Sequence, residues 1–178
     1  MYQKLLVFSA LLLLASFVHA QTAPKWGKLT DAEIKLKTVP YDTAAEAVVL
    51  SDHGKIIIDA GNVMIERHIR IKILDKKALE RATVKIPYYA KDRRENVEKV
   101  EAQTLVSGKT GQVIATPVPK DQIFEVDVTH ELKEKRFTFP GVEVGSVLEY
   151  RYKTISEDYV FLEGWDFQSD IPTLLSEV

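Results

Sequence analysis

Short β-rich runs separated by turn residues recur along this chain at intervals of about ten residues, a spacing typical of antiparallel sandwiches and barrels. The longest run, Val63–Leu74, alternates with a period of two. One predicted face carries Val63, Ile65, Ile69, Ile71 and Ile73, and the other carries Glu66, His68, Arg70 and Lys72. This pattern predicts a strand in a sheet with one buried face and one solvent-exposed face. It argues against a parallel α/β sheet, whose strands are continuously apolar.

The other β-rich runs and one helical signal complete the predicted architecture. Strands are predicted at Glu46–Leu50, Lys55–Asp59, Thr83–Tyr89, Val97–Val106, Gln112–Thr116, Phe124–Thr129, Arg136–Phe139 and Val147–Lys153. We interpret Ser51–Gly54 as a turn, and Thr30 as the N-cap of a helix of about two turns with Glu33 completing a capping box. Arg67 interrupts the apolar face of its run, so we expect it near a sheet edge or paired with a carboxylate. The predicted fold is an all-β, antiparallel β-sandwich of roughly eight to ten strands with one short N-terminal helix.

The N-terminus has the features of a secretory signal peptide. Lys4 precedes an apolar run, Leu5–Val18, and Val18-His19-Ala20 offers a small-residue cleavage pattern before Gln21. This run is shorter than the roughly 20 residues that a membrane-spanning helix needs. We therefore assign residues 1–20 to a signal peptide and residues 21–178 to a single β-sandwich domain. The mature protein is expected to be periplasmic or extracellular, without a stable membrane span.

Composition excludes several kinds of chemistry. The chain contains no cysteine, so disulfides, a cysteine nucleophile and a thiolate metal site are all excluded. The formal net charge is −2 and charges of both signs are mixed locally, which makes nucleic acid an unsuitable partner. His130–Glu134 resembles half of a zinc-binding helix, but position 134 lacks the second histidine. We interpret His53, His68 and His130 as surface residues and predict no metal and no cofactor.

Aromatic and acidic residues cluster near the C-terminal end. The rings are Tyr159, Phe161, Trp165 and Phe167, and the acids are Glu157, Asp158, Glu163 and Asp166. Exposed rings among acids can form a platform that binds sugar, and two acids can act together in a glycosidase-like hydrolase. The simpler interpretation places the rings in the core, where large aromatics contribute most of the burial, and the acids in water.

Several motifs in a fixed order carry a resemblance to a known family. They are Trp26-Gly27, Glu46–Leu50, Arg67–Leu74, Phe137–Pro140, Gly145–Tyr150, Trp165–Gln168 and Ile171-Pro172. With them the chain resembles the N-terminal domain of unknown function that precedes transglutaminase-like domains in secreted bacterial proteins. The resemblance implies a β-sandwich accessory module without known catalytic residues, followed by a papain-like domain with a Cys-His-Asp triad. Because Val178 falls where that family enters its next strand, we expect a domain cut short at its C-terminal end or a protein that keeps only the front module.

We therefore predict that the chain is not an enzyme. The expected function is that of a non-catalytic exported accessory module, acting as a scaffold or an interaction surface for a transglutaminase-like domain or another protein. The alternative is a stand-alone carbohydrate-binding module that uses the aromatic residues around Trp165 as its platform.

Overall fold

The computed structural model describes residues 23–108, 110–157 and 164–178, and these contain nine β-strands, one α-helix and three 3-10 helices. The strands are β1 (Ala47–Asp59), β2 (Asn62–Ile73), β3 (Thr83–Tyr89), β4 (Glu95–Ser107), β5 (Val113–Pro117), β6 (Phe124–Asp127), β7 (Leu132–Thr138), β8 (Val147–Ser156) and β9 (Ser176–Glu177). The α-helix α1 spans Asp31–Lys35, and the 3-10 helices span Lys76–Ala82, Lys91–Arg93 and Lys120–Gln122. None of the described helices is long and apolar enough to cross a membrane.

The strands form two sheets. A six-stranded sheet has the order β5-β4-β8-β2-β1-β9, and a three-stranded sheet has the order β3-β7-β6. Neighbouring strands are antiparallel, except that β9 runs parallel to β1. The predicted all-β sandwich is confirmed. Most predicted strands match observed ones within a few residues.

The main core lies on the face of the six-stranded sheet that packs against the three-stranded sheet, which we name the inner face. Phe137 of β7 packs edge-on against Phe139 and against Tyr150 of β8, with ring centroids 5.5 and 5.9 Å apart. Ile69 of β2 and Ile86 of β3 are buried in the same cluster. Edge-to-face packing of aromatic rings adds to the stabilisation that their burial supplies.

The opposite face of the six-stranded sheet, the outer face, is covered in part by the N-terminal segment. Leu29 and Leu36 of this segment pack on Val48, Leu105 and Val147 of the sheet in a second buried cluster. Helix α1 begins with the predicted capping box, in which Thr30 and Glu33 satisfy each other's backbone donors.

The outer face therefore differs from the prediction of a solvent-exposed surface. Arg70 and Lys72 of β2 are only 2% and 3% exposed. The expectation for these two residues was wrong, because the segment that covers them is distant in the sequence and leaves no trace in the alternation of β2.

The prediction of a turn at Ser51–Gly54 was also wrong. Strand β1 continues through these residues, with a β-bulge between Val49 and Ser51. Gly54 is needed there because Trp165 lies directly against it: a Cβ on Gly54 would lie 2.5 Å from two atoms of the indole ring. A close tertiary contact, not a change of chain direction, accounts for this glycine.

Candidate functional site

The predicted aromatic platform is only partly described. Tyr159 and Phe161 lie outside the described residues. Phe167 is 54% exposed, whereas Trp165 is half-buried and its indole Nε1 donates a hydrogen bond to Ser176 Oγ at 2.9 Å. The structure therefore holds the Trp165 ring against the C-terminal strand and presents Phe167 to solvent.

Arg67 connects Trp165 to the sheet. Its guanidinium carbon lies 4.7 Å from the centroid of the Trp165 ring, and its Nε donates to Asp52 Oδ1 at 2.8 Å. Burial opposes the charge of Arg67, but the hydrogen bond and the negative charge of Asp52 outweigh it and raise the pKa of the guanidinium. The predicted pairing with a carboxylate is confirmed, although β2 is an interior strand and not an edge.

A cavity of about 280 Å³ lies between the two sheets beside this pair. Its lining is mixed: Ile65 and Tyr150 come from the six-stranded sheet, Ile86 and Lys85 from the three-stranded sheet, and Arg67 and Trp165 border it. Arg67 already binds Asp52 and stacks on Trp165. The cavity therefore combines apolar surface with polar groups, among them Lys85 and Glu95.

The predicted acidic residues do not gather in a described catalytic pair. Glu157 and Asp166 are both exposed, and Asp158 and Glu163 lie outside the described residues. Nothing within the described ranges forms a group of three or more histidine, aspartate or glutamate residues that could hold a metal ion.

The most deeply buried charge among the described residues lies on the outer face, and its burial was not predicted from the sequence. Glu149 of β8 is fully buried. Its carboxylate accepts hydrogen bonds from His68 Nε2 at 2.9 Å, Arg70 Nε at 2.8 Å, Gln103 Nε2 at 2.6 Å and the backbone N–H of Gly27 at 2.8 Å. Burial alone would raise the pKa of Glu149, but the hydrogen bond from His68 and the charge of Arg70 lower it overall.

The same cluster holds the N-terminal segment in place. Arg70 donates to Glu33 Oε1 at 3.0 Å and to the backbone oxygen of Lys25. Lys72 donates to the backbone oxygens of Glu33 and Ile34, and burial lowers the pKa of its ammonium against the opposing charge of Glu33. We name this set of contacts, between residues 25–34 and the side chains of Arg70, Lys72 and Glu149, the N-terminal latch.

The three histidines among the described residues occupy different environments. The side chain of His68 is 12% exposed and belongs to the Glu149 cluster, so its interpretation as a surface residue was wrong. His53 is half-buried and bonds Glu177 Oε1 at 2.8 Å. The side chain of His130 is 84% exposed, as predicted.

One sequence signal pointed to the Glu149 cluster. Arg70 and Glu149 are opposite charges on two strands that each alternate cleanly, and the structure makes them register partners in the sheet.

Comparison with known proteins identifies the family but no activity. The profile of DUF3857, a domain of unknown function with a solved structure, matches residues 59–178. A crystal structure of a putative protease from Parabacteroides distasonis ATCC 8503 shares the fold at 18% identity and a TM-score of 0.52, covering 64% of this chain and 23% of the other. No curated protein matches the sequence. The match to the family profile extends over most of the chain, which therefore belongs to the DUF3857 family.

Proposed function

We propose that this protein is a non-catalytic, exported accessory module that binds a partner protein, foremost a transglutaminase-like domain. The observation that carries this proposal is the state of the Glu149 cluster. A catalytic acid or base has to reach its substrate. Glu149 is instead fully buried beneath the latch, and its carboxylate is engaged by four residues of the chain itself. The cluster therefore has a structural role, and the exposed surface of the module remains for binding a partner.

The length of the similar solved structure supports a role beside other domains. The match spans 23% of that chain, so the fold occurs there as a small part of a much longer protein. The motif order that resembles the front domain of transglutaminase-like proteins names the first partner to test. The signal-peptide features at residues 1–20 support an encounter outside the cytoplasm.

The coding DNA on the 3′ side of the Val178 codon provides the first test. We expect an open reading frame that encodes Cys, His and Asp in the order of a papain-like triad. Calorimetric titration of residues 21–178 with the separately purified downstream domain then measures the binding directly. An immediate stop codon, a long frame without the triad, or the absence of binding heat would contradict the transglutaminase association.

A glycan-binding surface is the second candidate, and the 54% exposure of Phe167 favours it. Stacking of a sugar on an aromatic ring requires one open face, which Phe167 offers more than Trp165 does. Cell-wall and capsular glycans can be titrated against intrinsic tryptophan fluorescence. Binding that is lost in Phe167→Ala but kept in Tyr41→Ala, a control at an exposed ring elsewhere, would support this candidate; no response to any glycan would eliminate it.

A further inference from the structure

An open groove crosses the outer face of the six-stranded sheet next to the N-terminal latch. It has a volume of about 430 Å³, and Ala23 and Pro24 line one end of it. Its charged lining comes from the four adjacent strands β1, β2, β8 and β4, and consists of Lys55, Glu66, Arg67, Arg151, Lys153, Lys99 and Glu101. We name it the lysine groove. Arg67 and Tyr152 line both this groove and the Trp165 cavity described above.

The charges in the lysine groove do not balance. Arg151 is committed, because its Nε donates to Glu101 Oε2 at 2.6 Å and its guanidinium stacks on Trp26 at 4.5 Å from the ring centroid. Arg67 is committed too, because it pairs with Asp52. The other lining cations are three lysines, and the one other lining acid is Glu66. The three lysines and Glu66 make no ion pair within 4.0 Å with any residue that the structure describes. The lysines are Lys55, Lys99 and Lys153. An excess of positive charge in a concave surface attracts an anionic ligand.

Lys99 enters the groove through an irregularity of β4. The pairing of β4 with β8 shifts register between Glu98 and Glu101, and Lys99 takes the left-handed φ of 51° within this bulge. A residue with a Cβ adopts this conformation at an energetic cost, and a glycine would adopt it more readily. Bulges of this kind redirect a side chain and are frequent beside binding sites. The bulge places a third lysine at the edge of the groove, where regular pairing would not.

The spacing of the lysines defines the shape of the ligand. Lys55 and Lys153 are both register partners of Glu66, on opposite sides of β2. Because adjacent strands lie about 4.8 Å apart, the two lysines start roughly 10 Å apart across the sheet. A polyproline II peptide advances about 3.1 Å per residue and repeats every three residues. Acidic side chains three positions apart therefore project to the same side, with a separation close to that of the two lysines. Glu66, between the lysines, would repel an acid at the intervening positions.

We propose that the lysine groove binds an extended, acidic peptide segment of the partner protein, in which acidic residues three positions apart contact Lys55 and Lys153. The inference rests on the proposed function and adds the chemistry of the partner. The groove is open along the sheet, which suits an extended chain, and the excess of lysines in it contrasts with the chain as a whole, whose formal net charge is −2. A partner with acidic residues is therefore drawn to this surface in preference to others.

Fluorescence anisotropy with a labelled (Glu-Pro-Pro)4 peptide tests the proposal on residues 21–178. The double variant Lys55→Gln with Lys153→Gln should weaken binding about tenfold, since it removes two charge contacts. The matched control, Lys37→Gln with Lys120→Gln, removes the same charge at exposed sites outside the groove and should change the Kd by less than twofold. All four substituted lysines are exposed or half-exposed. A thermal unfolding curve like that of the wild type verifies that each variant folds.

Equal weakening in both double variants would overturn the proposal. So would binding of (Gln-Pro-Pro)4 to the wild type that is as tight as binding of the acidic peptide. Tighter lysine-dependent binding of polygalacturonate, an anionic glycan, at equal carboxylate concentration would overturn it as well. Absence of any binding to the acidic peptide would also overturn it. That outcome is separable from failure of the proposed function, because a downstream triad domain that still binds residues 21–178 would leave the accessory role standing.

Discussion

Replacing Glu149 by glutamine probes the N-terminal latch with a change of almost no volume. The carboxylate of Glu149 accepts from His68 and Arg70 at Oε1, and from Gly27 and Gln103 at Oε2. Every partner is a donor. A glutamine offers one acceptor oxygen and one NH₂ group, so its NH₂ would point at N–H donors on one side. The side chain of Gln103 can turn its amide oxygen to meet it, but the backbone N–H of Gly27 cannot.

The expected loss of stability follows from burial. Breaking a buried ion pair by removing one partner costs about 3–5 kcal/mol. Arg70 would retain Glu33 and the backbone oxygen of Lys25, which places the expected loss for Glu149→Gln near the lower end, at about 3 kcal/mol. A domain of this size has a free energy of unfolding of roughly 5–15 kcal/mol. The variant should therefore fold, with a clearly reduced stability.

Urea unfolding of residues 21–178, followed by circular dichroism, measures this loss. With a slope of about 2 kcal/mol per molar urea, the midpoint should fall by roughly 1.5 M. Glu101→Gln is the matched control, because Glu101 also pairs with an arginine of the same face, but the two side chains are 46% and 48% exposed. Such exposed pairs contribute about 0–1 kcal/mol. If Glu149→Gln lost no more stability than Glu101→Gln, the buried cluster would not be what holds the latch.

Three further changes test other contacts. Gly54→Val should force the Trp165 ring from its place and lower the free energy of unfolding by about 1–3 kcal/mol. The displaced ring should show a red-shifted fluorescence emission. The control Gly164→Ala should leave the emission unchanged, because a Cβ at this position meets nothing within 4 Å. Thr30→Ala removes the N-cap of α1 and should lower the free energy of unfolding by about 1 kcal/mol; a loss below 0.2 kcal/mol would show that the cap is dispensable. Hydrogen bonds from Lys133, Lys135 and Tyr88 lower the pKa of Glu125 to about 2, so its contribution to stability is present above pH 4.5 and disappears as the pH falls towards 2. Thermal unfolding of Glu125→Gln should therefore lose less stability between pH 4.5 and pH 2 than the wild type does, and identical pH profiles would contradict this assignment.

The sequence predicted the strands well because their signal is local. The alternation in β2 and in β8 assigns each side chain to one of two faces within a single run of residues. The same reasoning failed on the environment of the outer face, since Arg70 and Lys72 are covered by residues 25–34, which no local pattern connects to them. The prediction of a turn at Ser51–Gly54 failed for the same reason. The role of Gly54 depends on Trp165, and a glycine after Ser51 and Asp52 is more often part of a turn.

The candidate sites show the same limit. Pairing of Arg67 with a carboxylate was predictable, because a lone charge on an apolar face needs a counter-charge. The identity of that partner, Asp52, and the stacking on Trp165 depend on how β1, β2 and the C-terminal residues come together. The lysine groove was not predicted either, since its lysines lie on separate strands and Lys99 reaches it only through a bulge.

The N-terminal latch also constrains the order in which this protein can fold. Residues 25–34 precede every described strand in the chain, yet the carboxylate that binds Gly27 lies 122 positions further along. Contacts across so long a loop form late, after the entropic cost of closing it has been met. The segment therefore has to wait for β8, and it covers the outer face only once β8 has paired with β2 and β4. Until then Arg70 and Lys72 are hydrated on an open sheet, which keeps that face polar while the fold is incomplete.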